Sequence, residues 1–211
     1  MRVGHSNVLI GVGCVVHPGS QQITNGVTYN FPDYTYDLAG NLISETYPSG
    51  RVVKKILDPN GDLIKVESKK DSSSPLLTYI DQVKYNAAGT ATESRLGNGL
   101  WQTAAYNNRM QITQIGLGTS NTDTSLLKIN YDYGTAAQNN SALRQQKITV
   151  PGAAQPIVQD YTYDDLNRLD SSTETFNGGM QAWKQTFSYD RFGNRRFNPA
   201  GTTTLNGTQA V

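Results

Sequence analysis

The sequence predicts an all-β protein of consecutive antiparallel hairpins, and three observations carry that prediction. A turn signature recurs seven times, anchored at Asp37, Asp58, Asn86, Asn107, Asp132, Asp164 and Asp190. Aromatic or aliphatic residues precede each anchor, and in the best copies they alternate with Thr or Ser, the two-residue period of a strand with one face turned inward. No long stretch carries apolar residues at the 3.6-residue spacing of an amphipathic helix. The intervals between the anchors are 21, 28, 21, 25, 32 and 26 residues, the range in which a recurring unit marks a repeat architecture.

Along the chain, residues 1–30 do not match the repeat and read as a degenerate copy or a capping strand. Here Arg2, followed by the apolar run Val8-Leu9-Ile10-Gly11-Val12-Gly13-Cys14-Val15-Val16, has a loose likeness to a secretion or lipoprotein signal over residues 1–16. The run is short, Gly interrupts it twice and the cleavage context is poor, so a buried strand is the preferred reading. The array then spans residues 31–197, and its clearest copy is Tyr34-Thr35-Tyr36-Asp37-Leu38-Ala39-Gly40-Asn41-Leu42. Tyr34 and Tyr36 share one face of an extended chain. Asp37 accepts nearby backbone N–H groups to start the reversal, and Gly40 supplies the positive φ that a short hairpin loop needs.

Later copies keep that logic by substitution. Asp58-Pro59-Asn60-Gly61 adds a proline that presets φ. Tyr85-Asn86 with Gly89 replaces the carboxylate by an amide of similar turn chemistry. Tyr106-Asn107-Asn108-Arg109-Met110 lacks the glycine, reads as about two residues shorter, and is expected to turn more tightly. Tyr131-Asp132-Tyr133-Gly134 leads through Asn139-Asn140 and carries a longer loop. Tyr163-Asp164 has Asn167 at the glycine position, a residue that tolerates the left-handed region. Tyr189-Asp190 with Gly193 closes the series. Residues 68–75 and 118–125 read as exposed loops, and Pro151-Gly152 and Asn177-Gly178-Gly179 as further turns. Residues 198–211 are rich in Gly, Thr and Asn, and read as a tail or a truncated next repeat. No cap with a polar outer face is visible there, so the chain reads as cut from something longer.

Composition narrows the function classes. The 211 residues are 36% hydrophobic and 17% charged, a balance suited to a sheet with one wet face. A net charge of +1 without long basic runs argues against a nucleic-acid partner. No apolar run is long enough for a helical membrane span. A single cysteine, Cys14, cannot form an intrachain disulfide.

No catalytic constellation stands out. The recurring aspartates fall one to a turn, whereas glycoside hydrolysis needs two across one cleft. Asp58-Pro59-Asn60-Gly61-Asp62 has only the opening of a calcium loop. His5, His17 and Cys14 lack a metal-ligand spacing. There is no Gly-x-Ser-x-Gly elbow, and Gly116-Leu117-Gly118 leads into polar residues, not a phosphate-binding helix. No cofactor, metal site or enzymatic activity is expected. The repeat tyrosines, Tyr36, Tyr85, Tyr131, Tyr163 and Tyr189 among them, are assigned to packing between hairpins. Trp101 and Trp183 fall outside the register and are the candidate surface contacts.

The copies at Tyr34–Leu42, Tyr161–Leu169 and Phe187–Arg195 resemble the YD motif of the RHS or YD repeats found in bacterial polymorphic toxins, insecticidal toxin complexes and animal teneurins. The likeness covers roughly residues 34–197, with Asp37, Gly40, Asp164 and Gly193 on its strongest positions. It implies a curved sheet forming part of a hollow β-shell in a larger secreted or cell-surface protein. The implied partners are flanking repeats and an enclosed C-terminal effector. The family's aspartate-containing self-cleavage segment has no counterpart here. The alternative function is an adhesion or carbohydrate-binding module with a glycan or cell-surface partner.

Overall fold

The structure is a computed structural model that describes residues 8–9, 14–176 and 179–204. His5, most of residues 1–13, Asn177-Gly178 and residues 205–211 lie outside them. The fold is all-β. The strands are β1 (Val8–Leu9), β2 (Cys14–Thr24), β3 (Val27–Asp37), β4 (Leu42–Thr46), β5 (Val52–Leu57), β6 (Leu63–Lys69), β7 (Leu77–Tyr85) and β8 (Ala91–Leu96). They continue as β9 (Trp101–Tyr106), β10 (Ile112–Gly118), β11 (Leu127–Asp132), β12 (Gln145–Thr149), β13 (Ile157–Tyr163), β14 (Leu169–Phe176), β15 (Met180–Tyr189) and β16 (Arg195–Phe197). A single 3-10 turn, Pro199–Gly201, follows among the described residues.

Two compact units divide the chain, residues 1–100 and 101–211. Within each, strands pair antiparallel with their neighbours in sequence. Antiparallel neighbours can be joined directly by loops, and no parallel crossover interrupts the meander among the described residues. The longest hairpin is β2–β3, paired from Cys14↔Asp37 to Thr24↔Val27 around Asn25 and Gly26, both at positive φ. That two-residue turn follows the Asn-Gly preference of tight hairpins. Residues 14–30 therefore share a hairpin with the first YD copy.

Bulges add a second regularity to the hairpins. Five hairpins carry a one-residue bulge six positions after the turn anchor, at Ile43, Ile64, Thr92, Thr113 and Asp170. In the first, Thr35 pairs with Ser44 but Tyr36 pairs with Leu42, which leaves Ile43 unopposed. An extra residue on one strand bends it and increases local twist.

Two expectations are corrected. The turn after Tyr106 is neither shorter nor tighter: Met110 donates its N–H to the Asn107 carbonyl, and Asn107 donates to Gln111, at 2.9 Å each. Met110 takes φ +61°, so a non-glycine residue occupies the left-handed position and the turn keeps its standard length. Residues 68–75 and 118–125 are not wholly exposed loops either. Ser68 belongs to β6 and is 3% exposed, while Gly118 ends β10 and is buried. A side chain at Gly118 would meet the Asp123 backbone at 2.2 Å, so local packing demands glycine there.

Burial is thin. Val83 and Phe187 are the buried hydrophobic residues among those described, joined by Ser68, Ser94, Ser171 and Ser172. The accessible surface is 13964 Å². A single layer of sheet has no second layer to bury its faces, and most side chains stay half exposed.

Candidate functional site: the repeated turn and its clasps

Six of the seven YD turns share one hydrogen-bonded device. Asp37 Oδ1 accepts the N–H groups of Ala39 and Asn41 at 3.0 and 2.8 Å, and Oδ2 accepts the Asn41 side-chain amide at 2.9 Å. The backbone closes the same loop: Gly40 donates to the Asp37 carbonyl at 3.1 Å, and Asp37 donates to Asn41 at 3.0 Å. Asp58, Asn86, Asn107, Asp164 and Asp190 repeat it, each accepting the N–H groups two and four residues on. The fourth position has φ between +60° and +89° in all six, whether it is Gly40, Gly61, Gly89, Met110, Asn167 or Gly193.

The side chain at the fifth position tunes the carboxylate. The Asn41 amide, then its backbone N–H, holds the Asp37 carboxyl below its ordinary range. The Arg168 guanidinium does the same for Asp164, and the Asn194 amide for Asp190. A carboxylate already accepting two backbone N–H groups and a side-chain donor is fully engaged in the turn. It is poorly placed for general acid or base work.

In three copies the tyrosine before the anchor ties one hairpin to the previous one. The Tyr85 hydroxyl donates to the Leu63 carbonyl at 2.7 Å, Tyr163 to Leu143 at 2.8 Å, and Tyr189 to Leu169 at 2.7 Å. In the last case ladder pairing of β14 with β15 stops at Ser171↔Thr186, and the hydroxyl bridges the turn end beyond it. Burial pushes the Tyr85 and Tyr163 hydroxyls up, consistent with half-buried rings and satisfied donors. Arg168 adds a further link, its guanidinium lying 4.2 Å from the Tyr189 ring centroid.

The Tyr131-Asp132 copy differs. Asp132 Oδ1 accepts Gly134 N–H at 2.7 Å, Gly134 has φ +81°, and the Asp132 carbonyl accepts Arg144 N–H at 2.8 Å. Residues 133–143 form a strap that reaches both neighbouring turns. On one side Asn139 and Gln111 exchange side-chain amide bonds at 2.7 and 3.2 Å, and Arg109 donates to the Asn139 and Ala136 carbonyls. On the other, Asn140 donates to Asn167 at 2.8 Å, beside a crevice of about 290 Å³ lined by Arg144, Tyr161 and Asp164. The strap thus grips the two turns whose left-handed position is not glycine.

Trp101 and Trp183 are half-buried strand residues, opposite Gly118 and Glu174 respectively. They are not brought together. The opposite ends of the hairpins carry turns that the YD pattern did not single out. Tyr47 donates to Arg51 and Gly50 to Tyr47, and Leu96 and Gly99 make the same two bonds around residues 96–100. Their signal was a glycine at the fourth position without an acidic first residue. Among the described residues no group of three or more His, Cys, Asp or Glu side chains could hold a metal ion. No helix there is long and apolar enough to cross a membrane.

No family model matches the chain, and no curated protein matches its sequence. Solved structures do. A Photorhabdus luminescens Tc holotoxin pore, carrying a point substitution in TccC3, aligns with a TM-score of 0.65 at 19% identity over 90% of this chain. A TcdB2–TccC3–Cdc42 structure aligns at 0.65 and 19% identity over 92%. TcdB2–TccC3 without its hypervariable C-terminal region aligns at 0.64 and 18% over 94%. This chain spans 11 to 12% of the length of those chains. At such identity the likeness is one of fold, and the fold is RHS-like.

Proposed function

We propose that the chain is a length of RHS-type shell wall, with residues 31–197 as its repeat array. In this reading it is a non-enzymatic segment of a larger secreted protein that encloses or scaffolds a C-terminal effector. The observation that carries the reading is a sheet continuous within each unit that buries almost no core of its own. A wall needs an unbroken backbone ladder and ties between successive hairpins, and it can leave its faces for neighbouring parts of the same protein. The tyrosine hydroxyl bonds are such ties. Turn carboxylates committed to local amides fit a structural role better than chemistry. Support also comes from the fold shared with much longer Tc toxin chains.

Cryo-electron microscopy of the full-length gene product tests the reading. The expected result is a hollow shell with these hairpins in its wall. A solid, closed domain without an interior space overturns it. For the rival adhesion reading, a glycan-array signal lost in both Trp101→Ala and Trp183→Ala variants is the discriminating result.

A further inference from the structure

Among the described residues the dipeptide Asn-Gly occurs at Asn25-Gly26, Asn60-Gly61 and Asn98-Gly99, each time in a turn between two strands. All six residues are exposed, so exposure does not tell the three apart. Their hydrogen bonds do. Gly61 N–H donates to the Asp58 carbonyl at 3.0 Å, and Gly99 N–H to the Leu96 carbonyl at 2.8 Å. Further bonds hold the asparagines before them. Asn60 N–H donates to Asp58 Oδ1 at 2.8 Å, and the Asn98 side-chain oxygen accepts Leu100 N–H at 3.1 Å. Gly26 N–H, by contrast, donates to no group among the described residues.

The surroundings of Asn25 differ in the same direction. β4 pairs with β3 at Tyr34, Thr35 and Tyr36, whereas the β2–β3 ladder runs on to Thr24↔Val27. Among the described residues no third strand flanks residues 20–31. A Cβ at Gly26 would meet nothing within 4 Å. A hairpin of two strands is marginal in water, and its tip opens at little cost in free energy.

We propose that Asn25 is a site of spontaneous deamidation, and that the fold protects Asn60 and Asn98 from the same reaction. The Gly26 amide nitrogen gives up its proton and attacks Asn25 Cγ. The new C–N bond closes a five-membered succinimide ring, and the side-chain nitrogen leaves with the proton as ammonia. Water then opens the ring at either carbonyl, leaving aspartate or isoaspartate at position 25. One water enters, one ammonia leaves, and nothing is oxidised or reduced. The attack needs a free nitrogen, a following residue with no side chain to crowd it, and rotation about the asparagine backbone. All three dipeptides supply the uncrowded glycine. Of the three, the β2–β3 turn alone supplies the free nitrogen, and rotation there breaks no bond of Gly26. Isoaspartate sends the backbone through Cβ and adds an atom to a two-residue loop with fixed dihedral angles. It therefore loosens the Thr24↔Val27 end of the hairpin and leaves a negative charge there. The reaction requires water alone, so it is independent of what the wall encloses.

The test incubates the full chain at mildly alkaline pH and follows the peptide around each asparagine by mass spectrometry, with chromatography to separate aspartate from isoaspartate. Asparagine is a thermolabile residue, and its conversion adds about 1 Da. In the folded chain Asn25 is expected to convert on the order of tenfold faster than Asn60 and Asn98, the slowing that one net hydrogen bond broken beforehand imposes. Its rate rises with pH, because the attacking nitrogen is deprotonated. In the chain unfolded by urea the three rates converge. Equal rates at the three sites in the folded chain overturn the proposal, as does an Asn25 that stays unconverted while the unfolded chain reacts. A preference for Asn25 of the same size in urea assigns it to the neighbouring residues and overturns protection by the fold.

Discussion

The 37–41 and 107–111 turns have the same backbone bonds and opposite chemistry. In the first, a carboxylate anchors the loop and glycine takes the left-handed position at φ +87°. In the second, the anchor is the Asn107 amide and Met110 takes φ +61°. Glycine reaches that region without steric cost, whereas a side chain does so under strain. The first turn is therefore sufficient by itself. The second is held from outside by the 133–143 strap, through Asn139 to Gln111 and through Arg109 to two strap carbonyls. The 164–168 turn, with Asn167 at φ +60°, receives the same strap from its other side. Glycine and tertiary contact are two ways of keeping one geometry.

The largest expected effect comes from making the self-sufficient turns strained. Gly40→Val and Gly193→Val each place a β-branched residue at positive φ and should destabilise by about 1–3 kcal/mol. No neighbour lies within 4 Å of a Cβ at either position, so the whole cost is conformational. Thermal melts in which these variants match Asn41→Ala and Asn194→Ala would remove the assigned turn geometry.

The reverse change sharpens the comparison. Met110→Gly should stabilise by about 1 kcal/mol through relief of strain. It should also make the turn independent of the strap. In the parent background, Asn139→Ala is expected to expose the Met110 and Gln111 amides to exchange, and in the Met110→Gly background it should not. Equal exposure in both backgrounds would mean that the strap does not hold this turn.

A smaller effect separates the anchors by pH. Asp37, Asp164 and Asp190 have carboxyls held below the ordinary range by their fifth-position partners. A depressed folded value means the stabilisation is complete above the unfolded carboxylate pKa, about 4. It is lost as pH falls through the folded value. Amide protection of Asn41, Arg168 and Asn194 should therefore weaken below about pH 4, while that of Thr90 and Gln111, bound to Asn86 and Asn107, stays constant. Loss at all five together would point to general acid unfolding of the sheet.

The YD copies were legible because every part of the signature acts within five residues. Asp37, Gly40 and Asn41 determine a loop by local hydrogen bonds and φ alone, and no distant residue has to cooperate. The same local rule misjudged Asn107–Met110 as a different turn, because methionine at positive φ is tolerated only in its tertiary setting. The strap was legible as a long loop, yet its partners are 27 to 30 residues away. The carbonyls that the Tyr85, Tyr163 and Tyr189 hydroxyls reach, at Leu63, Leu143 and Leu169, follow from strand register between hairpins.

The sequence by itself determined that this chain is a series of antiparallel hairpins and where most of them turn, since turn chemistry and two-residue alternation are local. The tertiary structure alone decided the bulges six residues past five of the seven anchors and the grip of the strap. Each of these depends on which backbone groups the neighbouring strand leaves unpaired, and that is set by register between segments, not by the residues of either segment alone.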